Sequence, residues 1–124
     1  MKILFTAILY SLISLQGDIT SNISQALKAG SSKELIKYCN TSIEVKINGK
    51  GANYSLSQAE EVLKNFFLTN PPRNFTYIHQ GQSPEGLKYN IGSYKMDGGS
   101  YRVVMVIKEV KGSFKIDTIT FSKE

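Results

Sequence analysis

The second half of the chain alternates short apolar runs with turn residues, and this pattern constrains the fold more than any other feature. It predicts four strands, at about Phe75–Gly81, Leu87–Lys95, Ser100–Val110 and Ser113–Ser122. They are separated only by Pro84-Glu85-Gly86, Asp97-Gly98-Gly99 and Lys111-Gly112. Connections this short join antiparallel neighbours, because a parallel pair needs a crossover of a dozen or more residues. We therefore expect a four-stranded antiparallel meander.

The third strand of this meander is the most apolar. Tyr101 to Ile107 is interrupted only by Arg102. A strand of this kind is typical of a central position with both faces buried.

An earlier strand is predicted over Ser42–Ile47, where Ile43, Val45 and Ile47 alternate with polar residues. The pair Asn48-Gly49 predicts a tight turn, and a short returning strand can follow it.

Helical periodicity is confined to the segments before the meander. Apolar residues recur at i, i+4, i+7 and i+8 from Ile19, which predicts a helix closed by Gly30. Ser31 opens a second, short helix. A third helix is predicted to begin at Ser57, which forms a capping-box pattern with Glu60, and to end at Pro71-Pro72. The fold class expected is α+β, with an antiparallel sheet packed against about three N-terminal helices.

Residues 1–17 have the form of a secretory signal peptide. Lys2 precedes an uncharged run from Ile3 to Leu15, and Gly17 supplies a small residue for cleavage. The run is shorter than the roughly 20 residues that a membrane-spanning helix needs. We expect a periplasmic or secreted protein with a single domain at 18–124 and no membrane anchor after cleavage.

The net charge of +5 does not indicate a nucleic-acid partner. The lysines are scattered, and no run of three basic residues occurs. Nucleic-acid-binding proteins cluster such residues on one face. The only cysteine, Cys39, is expected to be a buried small apolar residue.

Four residues are candidates for ligand binding: His79, Arg102, Tyr77 and Tyr89. His79 is the only histidine and is predicted on the same strand face as Phe75 and Tyr77. Arg102 interrupts an apolar strand, and its planar guanidinium suits an anion. If its face of the strand looks inward, the guanidinium points into a pocket and can bind that anion. If the face looks outward, Val104 and Val106 lie on it too and need another cover. The larger face, with Tyr101 and Val103, is expected to meet the helices, which places Arg102 at the rim of a dimer contact.

Motifs for cofactors and metals were not found in the sequence. It contains no phosphate-binding glycine loop, no metal-ligand spacing and no nucleophile elbow. We therefore expect no cofactor, no metal site and no catalytic residue set.

The chain resembles domain of unknown function family 4783, a family of small secreted Bacteroidetes proteins. The resemblance runs from about Asp18 to Phe121 and rests on Tyr54-Ser55, Gln58-Ala59-Glu60, Phe66-Phe67, Asn70-Pro71-Pro72, Phe75, His79-x-Gly81, Tyr89-x-Ile91-Gly92 and Tyr101-Arg102-Val103. It implies a nuclear-transport-factor-2-like fold, a cone of curved sheet closed by helices. It implies no activity and no site residues.

Three functional hypotheses follow from the sequence. The first is a non-enzymatic module that binds a small ligand or a protein. The second is a small hydrolase or isomerase that uses His79 with a distant carboxylate. The third is a structural homodimer formed through the outer sheet face. The first and second differ in whether His79 meets a carboxylate inside a pocket.

Overall fold

The computed structural model describes residues 18–124, so the signal-peptide prediction for residues 1–17 lies outside the described residues. The helices are α1 (Ile19–Ala29), α2 (Ser32–Leu35) and α3 (Leu56–Thr69), and a 3₁₀ turn (Ile36–Tyr38) follows α2. The strands are β1 (Cys39–Ile47), β2 (Lys50–Ser55), β3 (Asn74–Gln82), β4 (Lys88–Met96), β5 (Gly99–Val110) and β6 (Ser113–Lys123). No helix of this region is long and apolar enough to cross a membrane.

All six strands form one sheet in the order β2-β1-β6-β5-β4-β3. The four-stranded meander is confirmed, because β3 to β6 pair antiparallel in sequence order. The sheet as a whole is mixed, since β1 pairs parallel with β6. The crossover between these strands contains α3 and the rest of the meander, which satisfies the length that a parallel connection needs. The returning strand after Asn48-Gly49 is β2, and both turn residues have positive φ, 52° and 82°.

Capping explains where the helices begin and end. The side chain of Asp18 accepts a hydrogen bond from the backbone N–H of Thr20 at the start of α1, and Gly30 closes that helix with φ 63°. The predicted start of α3 is wrong by two residues: the N-cap is Ser55, not Ser57. Ser55 and Gln58 form the capping box, because β2 runs up to Ser55 and leaves it extended directly before the helix.

The core lies between the helices and one face of the sheet. The helices contribute Ile23, Leu27 and Leu63, and the strands contribute alternate residues such as Ile43 and Met105, all fully buried. Phe66 lies at the centre of an aromatic cluster with Phe67, Tyr94, Tyr101 and Phe121, with ring centroids 4.2–5.8 Å from its own. Burial of this surface holds the helices on the sheet.

Candidate functional site

The face of the sheet opposite the helices is only partly covered. Along β5, Tyr101, Val103, Met105 and Ile107 are buried under the helices. The residues between them point the other way: Arg102 is exposed, and Val104 and Val106 are half-buried. The expectation that Arg102 faces outward is confirmed, and β5 is buried on one face rather than both. We call this second side of the sheet the outer face.

Strand pairing extends the outer face across β4 and β3. Val104 pairs with Ile91, and Val106 pairs with Tyr89. Ile91 in turn pairs with His79. Paired residues project from the same side of a sheet, so these five residues are neighbours. They form the outer patch: His79, Tyr89, Ile91, Val104 and Val106.

His79 reaches this patch because of a bulge in β3. Tyr77 pairs with Gly92, whereas His79 pairs with Ile91, so Ile78 is an extra residue in the ladder. One extra residue reverses which side the following residues face. The predicted placement of His79 on the same face as Phe75 and Tyr77 is therefore wrong. Among the described residues, no carboxylate lies within ion-pairing distance of His79.

Tyr77 lies on the helix side and has a structural contact. Its hydroxyl donates a 2.7 Å hydrogen bond to the backbone carbonyl of Thr20 in α1. Its ring packs edge-on against Phe75, with centroids 5.0 Å apart. Burial raises the pKa of Tyr77, because the phenolate would lose its hydration there. The structure thus separates Tyr77 from the other three predicted binding residues.

Arg102 lies at the edge of the outer patch rather than at its centre. Its Nη2 lies 3.3 Å from Oε2 of Glu124, and both side chains are partly exposed. Two further ion pairs lie near the patch: Lys108 with Asp117 at 3.3 Å, and Lys46 with Glu44 at 4.0 Å. The outer patch therefore has an apolar centre and a rim on which positive and negative side chains are paired.

Two apolar residues of this surface were not singled out from the sequence. Ile91 is two residues from Tyr89 in the predicted strand, so alternation alone places it on the same face. Ile78 has 59% of its surface exposed, which is unusual for an isoleucine. Its exposure follows from the bulge, and nothing in the sequence around Ile78 marks that bulge.

Comparison with solved structures identifies the class of fold. A nuclear-transport-factor-2-like protein of unknown function from Burkholderia xenovorans is 15% identical over 85% of this chain and 80% of its own, with a TM-score of 0.63. This likeness is one of fold alone. The chain is therefore an α+β protein of the nuclear-transport-factor-2-like class, as the resemblance implied.

A narrower family follows from the sequence itself. Residues 20–122 match the model of DUF4783, a domain of unknown function, and the chain belongs to that family. A DUF4783 protein from Bacteroides ovatus is 29% identical over 83% of this chain and 93% of its own, with a TM-score of 0.78. Another, from Bacteroides uniformis, is 25% identical over 86% and 98%, with a TM-score of 0.81. The comparison with curated proteins gave no match.

Proposed function

We propose that this protein is an exported, non-enzymatic binding module that recognises protein through its outer patch, and that the occupant of the patch is a second copy of the chain. The observation that carries the proposal is the partly exposed apolar row of Tyr89, Ile91, Val104 and Val106 on the sheet. On a typical soluble monomer the largest contiguous apolar patch covers about 300–600 Å² and is often functional, so this row is the candidate contact surface.

Charge favours a second copy over a strongly charged partner. The chain carries a net charge of +5, so two copies repel each other at surfaces with unpaired lysines and can associate only through a surface without them. The outer patch is flanked by paired charges, and none of its five residues is a lysine, an arginine or a carboxylate. A two-fold axis through the patch would bring apolar residues against apolar residues, as an isologous interface requires. Arg102 and Glu124 then lie where each can also face the opposite charge of the partner.

The size of the patch indicates a modest affinity. The three strands β3, β4 and β5, spaced about 4.8 Å apart, and the stretch from Arg102 to Lys108 at about 3.4 Å per residue outline a surface of roughly 15 by 20 Å, or about 300 Å². This is at or below the smallest interfaces of stable complexes, for which each partner contributes about 600 Å² or more. We therefore expect dissociation in the micromolar range.

Analytical ultracentrifugation across the micromolar range tests the proposal. The parent protein should sediment as a dimer at high concentration and as a monomer at low concentration. Val104→Glu should remain monomeric, because an unpaired carboxylate in the centre of the contact would be desolvated. Asn65→Glu is the matched control, since it adds the same charge at an exposed position of α3 and should leave the dimer intact.

Three results would contradict the second copy as the occupant. One is a parent protein that stays monomeric at high micromolar concentration. Another is a Val104→Glu variant that dimerises like the parent. The third is a monomeric parent that captures a different protein, with capture lost in Val104→Glu.

Export is the second part of the proposal. It is supported by the uncharged run Ile3–Leu15 after Lys2 and by the position of the first helix cap. Cleavage after Gly17 leaves Asp18 as the first residue, so the mature chain keeps the side chain that caps α1. N-terminal sequencing of the native protein should give a start near Asp18. Recovery of intact Met1 from the cell envelope would contradict cleavage.

A further inference from the structure

A polar recess opens on the helix side of the sheet, away from the outer patch. It has a cavity volume of about 360 Å³ and lies where the start of α1 meets the end of β3 and the start of β4. Six side chains line it: Asp18, Thr20, Gln80, Gln82, Lys88 and Asn90. We call it the Asn90 recess. Its volume is at the lower end of the range for small-molecule sites.

The packing of the fold does not explain why a polar side chain is buried at Asn90. On the β5 side its neighbours, Met105 and then Ile119, are fully buried apolar residues, whereas on the β3 side it pairs with the exposed Gln80. Asn90 is only 2% exposed, yet its Nδ2 has no hydrogen-bond partner within the described residues. A buried amide donor without a partner lowers stability, and an apolar residue at this position would avoid that loss. An acceptor atom of a bound molecule would satisfy the donor.

The chemistry of the recess points to a neutral ligand with several hydroxyl groups. Gln80, Gln82 and Asn90 each offer both a donor and an acceptor, as a hydroxyl group does. Asp18 and Lys88 contribute opposite charges, so their side chains together favour neither an anion nor a cation. The ammonium group of Lys88 already lies 4.0 Å from the centre of the Phe114 ring. Among the side chains that line the recess, a carboxylate ligand would have only the ammonium group of Lys88 as a cation and would also meet the carboxylate of Asp18. Cleavage after Gly17 would add the α-amino group of Asp18 at this edge, and a titration with acetate tests for anion binding there.

We propose that the Asn90 recess binds a small neutral polyol of about the size of a monosaccharide, with a ligand hydroxyl accepting a hydrogen bond from Nδ2 of Asn90. The proposal is independent of the outer patch, because the two surfaces lie on opposite sides of the sheet. A negative result for ligand binding in the recess therefore says nothing about the dimer, and a negative result for the dimer says nothing about the recess.

Nuclear magnetic resonance of the purified protein, labelled with nitrogen-15, gives a direct readout. The probes are D-glucose, D-galactose, D-mannose and myo-inositol. Each is titrated up to about 10 mM, which is tenfold above a dissociation constant of about 1 mM. At least one should shift the side-chain amide resonances of Asn90 in a saturable way. Sodium acetate is titrated in parallel and should shift them less.

Two variants separate binding from a structural role. Asn90→Leu removes the donor but keeps the number and branching of side-chain heavy atoms, so it should weaken binding at least about tenfold while the melting temperature stays the same or rises. Gln82→Ala changes an exposed residue and should also weaken binding without affecting the fold. Asn53→Leu, an exposed asparagine on β2, is the matched control and should bind as the parent does.

Several results would overturn the proposal. They are the absence of a saturable shift with every polyol, a stronger response to acetate than to any polyol, and unchanged polyol affinity in Asn90→Leu. If Asn90→Leu does not fold, unchanged affinity in Gln82→Ala overturns it in the same way.

Discussion

The hydroxyl of Tyr94 donates a hydrogen bond to the backbone carbonyl of Asn70, which connects β4 to the residue that ends α3. Pro71-Pro72 prevents the helix from continuing, so the carbonyl of Asn70 has no helical partner. Tyr94 supplies the missing donor from the sheet. Tyr94 is fully buried, whereas Asn70 is only partly buried.

Tyr94→Phe should therefore lower the free energy of unfolding by about 1 kcal/mol, since it removes the donor from a partly buried carbonyl. Tyr89→Phe is the control. Its side chain is 38% exposed on the outer face, and the change should stay within about 0.5 kcal/mol. Urea denaturation of both variants measures the difference. Equal stabilities would show that the Tyr94 bond contributes nothing.

Phe66→Ala should be among the most destabilising changes in α3. The ring contacts four other aromatic rings, and its removal leaves a cavity between the helix and the sheet. The expected loss is about 3–5 kcal/mol. Leu68→Ala, on the same helix but 69% exposed, should lose less than about 0.5 kcal/mol. A denaturant melt that ranks the two variants the other way round would refute this packing.

Gly92→Ala tests a close approach on the helix side of β4. A Cβ atom at Gly92 would overlap the ring of Phe75 and lie 2.9 Å from the carbonyl oxygen of Thr76. We expect a loss of about 1–3 kcal/mol from overpacking. Gly99→Ala is the matched control, because its Cβ would lie no closer than 3.8 Å to Met96. Thermal melts in which both variants match the parent would contradict the Phe75 placement.

Cys39 should be inert in the folded protein. It lies at the start of β1, is 5% exposed, and has its Sγ 3.5 Å from the carbonyl oxygen of Leu35. Burial raises the pKa of the Cys39 thiol from 9.0 to about 12. A disulfide reagent such as Ellman's reagent at about pH 8 should modify it only after unfolding in denaturant. Rapid modification under native conditions would show that the thiol is accessible.

The same shift in pKa gives a dependence of stability on pH. A thiol whose pKa is higher in the folded state holds its proton more tightly there than in the unfolded chain. Its contribution is complete below pH 9 and is lost as the pH rises toward 12. The parent should therefore lose stability between pH 9 and 10 more steeply than Cys39→Ala, by up to about 1.4 kcal/mol per pH unit. Parallel slopes for the two proteins would contradict the shift.

Much of the fold could be predicted from the sequence because its signals are local. Turns such as Asp97-Gly98-Gly99 lie between strands whose pairing they force, so the meander followed from short connections alone. Gly30 and Pro71-Pro72 marked where α1 and α3 end. Alternation along β5 predicted that Tyr101 and Val103 face the helices and that Arg102 faces away, because successive strand residues point to opposite sides.

Tertiary structure decided what depends on strands far apart in the chain. The parallel pairing of β1 with β6 joins Val45 to Ile119, and no local pattern encodes it. The bulge at Ile78 moved His79 to the outer face, because one extra residue in the pairing with β4 reverses the alternation that the sequence predicts. The buried and unpaired state of Asn90 also arises only when α1, β3 and β5 pack around β4. Contacts between separate elements set each of these features. The strand propensities of the residues nearby do not, because they are compatible both with the observed pairing and with the alternatives.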